Sequence, residues 1–554
     1  MSEADSDADR VVLDGESLTV EEVVAVAREG APVEIDEGTR GAIRESRARI
    51  EEIVGSDEAV YGVNTGFGEL VDVRIPRERI NDLQENLLRS HAAGAGRELS
   101  TEEVRALVLT RINALAKGYS GVREVVVDHL VAMLNEGIHP VVRSRGSLGA
   151  SGDLAPLAHL SLVLIGEGEA RVEKGEGAKS TTDDGPRCRE RDGGDDGHDR
   201  LPGDEALATA GLEPLSLAAK EGLALINGTQ LTVGLAALAV HDAERALRAA
   251  DAAGALTTEV TMGTTASCDP AIQAVRPHPG QAASARNVKR LTEGSEIVES
   301  HRNCDRVQDA YSIRCLPQVH GAVRDAVAHL RGAVEVELNS ATDNPLVFPR
   351  DAVSDRASGT ASAAVLSGGN FHGEPLALRL DYVAGALTDL AAIAERRVDR
   401  MLNPNLQEPH LPPFLTAESG LRSGYMIPQY TAAALLNECR SEGRPSTDNA
   451  PVSGGQEDHV SMSATSAFTV RRVVERVRTV VAVELLCAAQ AAEFVDPALS
   501  HAAGTGATYE AVREIVPPLD EDRSSHGEIE AVAALVASDA LDRRVTEAIG
   551  EALE

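Results

Sequence analysis

Residues 464–495 constrain the fold more than any other part of the chain. The run ATSAFTVRRVVERVRTVVAVELLCAAQAAEF keeps apolar residues at helical spacing and contains neither glycine nor proline. As one α-helix it would extend about 45 Å at 1.5 Å per residue. A helix this long buries its apolar stripe only against neighbours of similar length, which means a bundle. The sequence provides such neighbours in periodic stretches at 214–253, 315–340 and 374–402. Shorter ones occur at SLTVEEVVAVAREG (17–30), with a serine cap and a glycine stop, and across 101–137.

Packing must rest on Leu, Val, Ile and Ala, because aromatic residues make up only 2% of the chain and tryptophan is absent. These residues favour helices, and the strand-favouring aromatics are scarce. The expected fold is therefore mainly α: a long helical bundle with a smaller N-terminal region. At 554 residues the chain exceeds one compact core. The reading divides it into an N-terminal region, 1–120, with 1–20 disordered, and a helical bundle, 121–554. Within the bundle, residues 171–204 (RVEKGEGAKSTTDDGPRCRERDGGDDGHDRLPGD) lack apolar periodicity and read as a mobile, disordered insertion.

The formal net charge is −35, and only five of the 53 basic residues are lysines. That sign argues against nucleic acid or an anionic membrane as partner. It suits an acidic surface adapted to high salt, where screening at about 1 M shortens the reach of a charge to about 3 Å. The six cysteines form no C-x-x-C pair, so neither a zinc cage nor a disulfide framework is expected. His301, Cys304 and Asp305 lack a second ligand pair, and no metal is expected there. The start, MSEADSDADR, is acidic and no apolar run reaches membrane-spanning length. A cytoplasmic protein is the expectation.

The chemistry is concentrated in GSLGASGDLAPLAH, residues 146–159. It fails as a nucleophile elbow because Asp153 stands where the closing glycine should be. Nearby GEGEAR and GEGAKS lack glycines that a dinucleotide fingerprint and a phosphate loop require. One reading makes Asp153 the cap of a helix with Pro156 in its first turn. Another uses the backbone as reagent. A tight bend would press the Gly152 nitrogen onto the Ala150 carbonyl, closing a ring. Loss of two waters, one taking the Ser151 hydroxyl, then leaves a methylidene-imidazolone. Glycine suits the bend because no Cβ obstructs the approach.

In GSLGASGDLAPLAHLS the chain resembles the aromatic amino acid ammonia-lyase family, whose methylidene-imidazolone prosthetic group forms from Ala-Ser-Gly. Further blocks agree in order: YGVNTGFG (61–68), SHAAGAG (90–96), LINGTQ (225–230), DRVQDAYSIRCLPQV (305–319), GGNFHGEP (368–375) and QEDHVSM (456–462). Within the family, His91 and the QEDH block resemble the members that act on histidine, because an imidazole substrate needs polar partners when buried. The resemblance implies deamination of L-histidine to trans-urocanate and ammonia by a homotetramer with shared active sites. Rivals are a lyase or aminomutase acting on phenylalanine or tyrosine, and a helical scaffold without catalysis.

The resemblance assigns Ala150, Ser151 and Gly152 to the prosthetic group. It makes Tyr311 the base and Tyr61 its partner, and Glu457 a group that contacts the imidazole and accepts protons. Substrate contacts fall to His91, Asn227, Gln308, Arg314 and Phe371. Arg314 lies one helical turn after Tyr311 and would grip a carboxylate bidentately. Gly455 departs from the polar residue that relatives often carry before the glutamine. Helix N-termini aimed at the prosthetic group would enhance its electrophilicity.

Overall fold

The computed structural model describes residues 10–56, 60, 62, 76–173, 198–302, 307–354, 357–447 and 450–554. The stretch at 464–495 forms one helix, Ser463–Ala492. The stretches at 315–340 and 374–402 become Leu316–Leu338 and Glu374–Leu402, whereas 214–253 does not run as one helix: it breaks into Glu221–Ile226 and Gln230–Val260, with Asn227 extended between them. Small buried side chains let these helices pack closely: within Gln230–Val260, residues 230–240 and 249–260 are buried on every face. None of the described helices is long and apolar enough to cross a membrane.

The chain divides into two units, each assembled from separated stretches. The first comprises residues 1–238, 332–378 and 445–467, and all the described strands belong to it. They form four small sheets, among them the antiparallel trio Ile138–Pro140, Glu169–Glu173 and His198–Pro202. Helix Thr101–Ala116 of this unit is almost wholly buried and starts with a capping box between Ser100 and Glu103. The second unit comprises 239–331, 379–444 and 468–554, and the regular elements among its described residues are all helices. Its interior is Ala, Val and Leu around a fully buried ion pair, Arg397 with Glu484.

Three local expectations change. From Arg10 onward the first twenty residues are placed: Val11–Leu13 pairs in parallel with Val33–Ile35, burying Val11 and Leu13. Both described ends of the 171–204 segment are ordered. Glu169–Glu173 and His198–Pro202 pair antiparallel and bury Ala170 and Val172, a two-residue alternation hidden among charges. Residues 174–197 lie outside the described set. The first helix is capped by Thr19 rather than Ser17, and it passes into a π-helical turn at Ala25–Glu29 before Gly30.

Candidate active site

Residues 146–153 form a bent loop in the first unit, held by backbone atoms from three distant segments. Asp153 N donates to Gly228 O at 2.7 Å, Met462 N to Leu148 O at 2.7 Å, and Gly373 N to Gly149 O at 3.0 Å. Ser461 Oγ also donates to Gly149 O, at 2.9 Å. The bend needs glycine at two points. Gly152 sits at φ +75°, and a Cβ there would lie 2.2 Å from Gly228 O. Gly149, at φ +65°, would drive a Cβ to 2.2 Å from Ser461 Oγ. Ala150 and Gly152 are buried, whereas Ser151 is half-buried and so reachable.

Four helices begin beside this loop: Leu154–Leu164, Gln230–Val260, Glu374–Leu402 and Ser463–Ala492. Their N-terminal ends add positive potential around Ser151. Asp153 precedes the first of them, yet its carboxylate caps nothing in that helix. It accepts instead from Ser147 Oγ at 2.7 Å and from Thr232 N at 2.9 Å, tying the loop to the start of Gln230–Val260. Burial raises its pKa, and the hydrogen bonds from Ser147 and Thr232 offset part of that rise. Asp153 therefore occupies the N-cap position, with Pro156 in the first turn as expected, but its carboxylate is engaged by Ser147 and Thr232 rather than by the helix's own N–H groups.

Asn227 faces the loop directly. Its Nδ2 donates to Ser151 O at 2.7 Å, and among the described residues its buried Oδ1 has no hydrogen-bond partner. Behind it stands a residue that sequence reasoning missed. Arg111 is fully buried and donates through Nη1 to Asn227 O at 2.9 Å and to Gln230 Oε1 at 2.7 Å. Its Nε and Nη2 have no hydrogen-bond partner among the described residues. Burial lowers its pKa to about 10, with Asp343 acting in the opposite direction. Asp343 is itself paired with buried Lys220 at 2.6 Å. In sequence, Arg111 was one arginine among 48, set in the apolar second half of a helix that also carries Arg105.

The other predicted residues of this unit are placed less closely. His91 ends the helix Ile80–His91, and its Nδ1 lies 2.9 Å from Leu87 O and 3.0 Å from Ser90 Oγ, which turns Nε2 away from the helix backbone's acceptor. Phe371 and Glu457 are half-buried. Among the described residues, no hydrogen bond or ring contact joins His91, Phe371 or Glu457 to the Ala150–Gly152 segment. One residue after Phe371 and two after Glu457, the His372 and His459 rings stack at 5.7 Å. Tyr61, Cys304 and Asp305 lie outside the described residues.

In the second unit, Tyr311–Arg314 is a single helical turn. Arg314 Nη1 donates to Gln308 Oε1, so these two predicted residues form a pair. Tyr311 is 74% exposed in the single chain. The segment is anchored by Asp309, which accepts from Thr264 N at 2.7 Å, and by Arg397, whose Nη1 reaches Ser312 O at 3.4 Å. A cavity of about 490 Å³ opens beside Gln308, with Met262, Thr264, Val298 and His301 in its lining.

Comparison with known proteins gives a consistent picture. The family model for aromatic amino acid lyases matches residues 18–514. A probable histidine ammonia-lyase of Halobacterium salinarum is 64% identical, over 97% of this chain and 98% of its own. The crystal structure of histidine ammonia-lyase from Trypanosoma cruzi superposes with a TM-score of 0.84 at 38% identity, covering 97% of this chain and 95% of that one. Tyrosine aminomutase from Streptomyces globisporus gives 0.87 at 38% identity, over 98% of this chain and all of the other.

Proposed function

Given that the chain belongs to the aromatic amino acid lyase family, we propose that it removes ammonia from L-histidine to give trans-urocanate, as the first step of histidine degradation. The observation that carries this reading is the bend at Gly149–Gly152. The described residues fit a methylidene-imidazolone made from Ala150, Ser151 and Gly152. The Gly152 cradle admits no Cβ, Ser151 bears the hydroxyl that must leave, and the partnerless Asn227 Oδ1 is available beside them. That group supplies an electrophilic carbon that no ordinary side chain offers. The reaction calls on no metal.

The chain's own residues do the rest. Asn227 Nδ2 and the four helix N-termini draw electron density toward the Ser151 carbonyl. Arg314 binds the substrate carboxylate, and Gln308 holds the guanidinium in orientation. Tyr311 takes the β-proton, oriented by Tyr61, a step worth typically about 10²–10⁴-fold. His91 presents Nε2 to one nitrogen of the substrate imidazole, Glu457 takes the other, and Phe371 packs beside the reacting centre.

Assembly into a homotetramer is part of the same proposal. The second unit exposes large apolar side chains at Tyr382, Ile427 and Tyr430, and a base as open as Tyr311 needs cover from another subunit to exclude water. A salt-rich cytoplasm suits the net charge of −35. A second reading, action on tyrosine or phenylalanine, is favoured by the likeness to a tyrosine aminomutase. Incubating purified protein with histidine, tyrosine and phenylalanine, and following each product by its absorbance, separates the two. Urocanate from histidine is expected, and its absence with turnover of another substrate would replace this reading by the second.

A further inference from the structure

The Ile138–Pro140, Glu169–Glu173 and His198–Pro202 sheet carries a second cluster of reactive side chains. In its register His139 faces Arg171, Arg171 faces Arg200, and Glu173 faces His198. Because cross-strand partners and residues two apart share a face, all five side chains stand on the same side of the sheet. The arginines are engaged at one end: Arg171 Nη2 donates to Leu99 O, and Arg200 pairs with Glu169 and Glu98. At the other end His139 Nε2 lies 3.3 Å from Glu173 Oε1, and the His139 and His198 rings are 5.7 Å apart. One ligating atom from each of His139, Glu173 and His198 lies within 4.8 Å of the other two.

We propose that these three residues form a binding site for a divalent transition-metal ion of the zinc class, separate from the reaction chemistry. Two imidazoles and one carboxylate are a donor set zinc accepts, with water in the fourth position. His139 and Glu173 already stand at 3.3 Å, and Glu173, with its side chain 60% exposed, has room to adjust toward the ion. Binding at His139 Nε2 moves the ring's one proton from Nε2, where it faces Glu173 Oε1, to Nδ1, and the ion then bridges the imidazole and the carboxylate. It would join the three strands at the edge of the sheet that carries Glu173 and His198. The similar trio His372, Glu374 and His459 is less suitable. His372 Nε2 already faces His459 O at 3.2 Å, and its Nδ1 faces Glu374 N at 3.4 Å.

The test uses the full chain, stripped with EDTA and titrated with zinc chloride against a chromophoric chelator of micromolar affinity. One zinc per chain is expected, with a rise in melting temperature and no change in the deamination rate. His139 is buried and its replacement risks the fold, so the variants are Glu173→Gln and His198→Gln, with His372→Gln as comparison. Each of the first two should weaken zinc binding by at least about tenfold, and the third should leave it unchanged. Binding below one zinc per chain would overturn the proposal. So would stoichiometric binding that survives both Glu173→Gln and His198→Gln.

Discussion

Asn227 Nδ2 lies 2.7 Å from the carbonyl oxygen of Ser151, and Asn227 is itself held from behind by Arg111. A fixed hydrogen-bond donor thus rests on the middle residue of the Ala150–Gly152 bend. Replacing Asn227 with alanine removes that donor from a nearly dry site, where such a loss costs about 1–3 kcal/mol. A fall in kcat of roughly tenfold to a hundredfold is expected. Asn227→Asp, which presents only acceptor atoms when ionised, should fall at least as far. Steady-state urocanate formation measures both.

Ser151→Ala removes the hydroxyl that must depart for the electrophile to form. Activity should disappear, while stability stays within about 0.5 kcal/mol, as for most substitutions of partly exposed residues. Activity assays beside thermal unfolding test this. The wild-type peptide containing residues 150–152 should be two waters lighter than its sequence mass, and the variant peptide should not.

Arg111→Met leaves Asn227 O and Gln230 Oε1 buried without their donor. A loss of about 2–4 kcal/mol in unfolding free energy is expected. Arg111→Lys keeps the charge but loses the planar fork, and should fall between. Urea unfolding reads the stability. A drop in kcat beyond that of Asn227→Ala would show that Arg111 acts on the bend by more than holding Asn227.

Acid should weaken the second unit in two stages. Burial lowers the pKa of His320 below 6.5, more than its hydrogen bond to Asp251 restores. As pH falls below 6.5 the unfolded chain takes up a proton that folded His320 resists, so stability drops. Burial by itself would raise the pKa of Asp251, but Arg324, with hydrogen bonds from His320 and Asn287, pulls it from 3.8 to about 2. Its stabilisation is complete above 3.8 and is lost as pH falls toward 2. Urea midpoints measured from pH 7.5 to 2.5 should show both stages, and Asp251→Asn should flatten the second.

Raising potassium chloride from about 0.1 M to 1 M shortens the screening length from about 10 Å to 3 Å. With a net charge of −35, self-repulsion is greatest at low salt. The melting temperature should climb steadily over this range, as scanning calorimetry would show.

The long helices were legible because apolar spacing alone specifies them: the stretch at 374–402 became Glu374–Leu402 to the residue. The Ala150–Gly152 bend was legible through its small side chains and its neighbouring motif. Asp153 was half legible: it stands at the N-cap of Leu154–Leu164 with Pro156 in the first turn, but its carboxylate binds Thr232, 79 residues away, which the local sequence does not show. The strands ending at Glu173 and starting at His198 were missed for a related reason. Their apolar alternation covers few residues, and the pairing that stabilises it comes from strands elsewhere in the chain. Arg111 left only a faint signal, a charge in a buried helix, because its partners Asn227 and Gln230 follow more than a hundred residues later.

The clamp on the bend also imposes an order in time. Ser461, whose hydroxyl holds Gly149 O, lies 312 residues beyond it in the chain. A ribosome that has just released residue 153 has made every atom of the future electrophile, but not the segments that bend it. Nascent chains ending before residue 461 therefore lack part of the scaffold that presses Gly152 toward Ala150. The complete clamp exists only once the chain has been made past Met462, so full pressure on the bend is a property of the nearly finished protein.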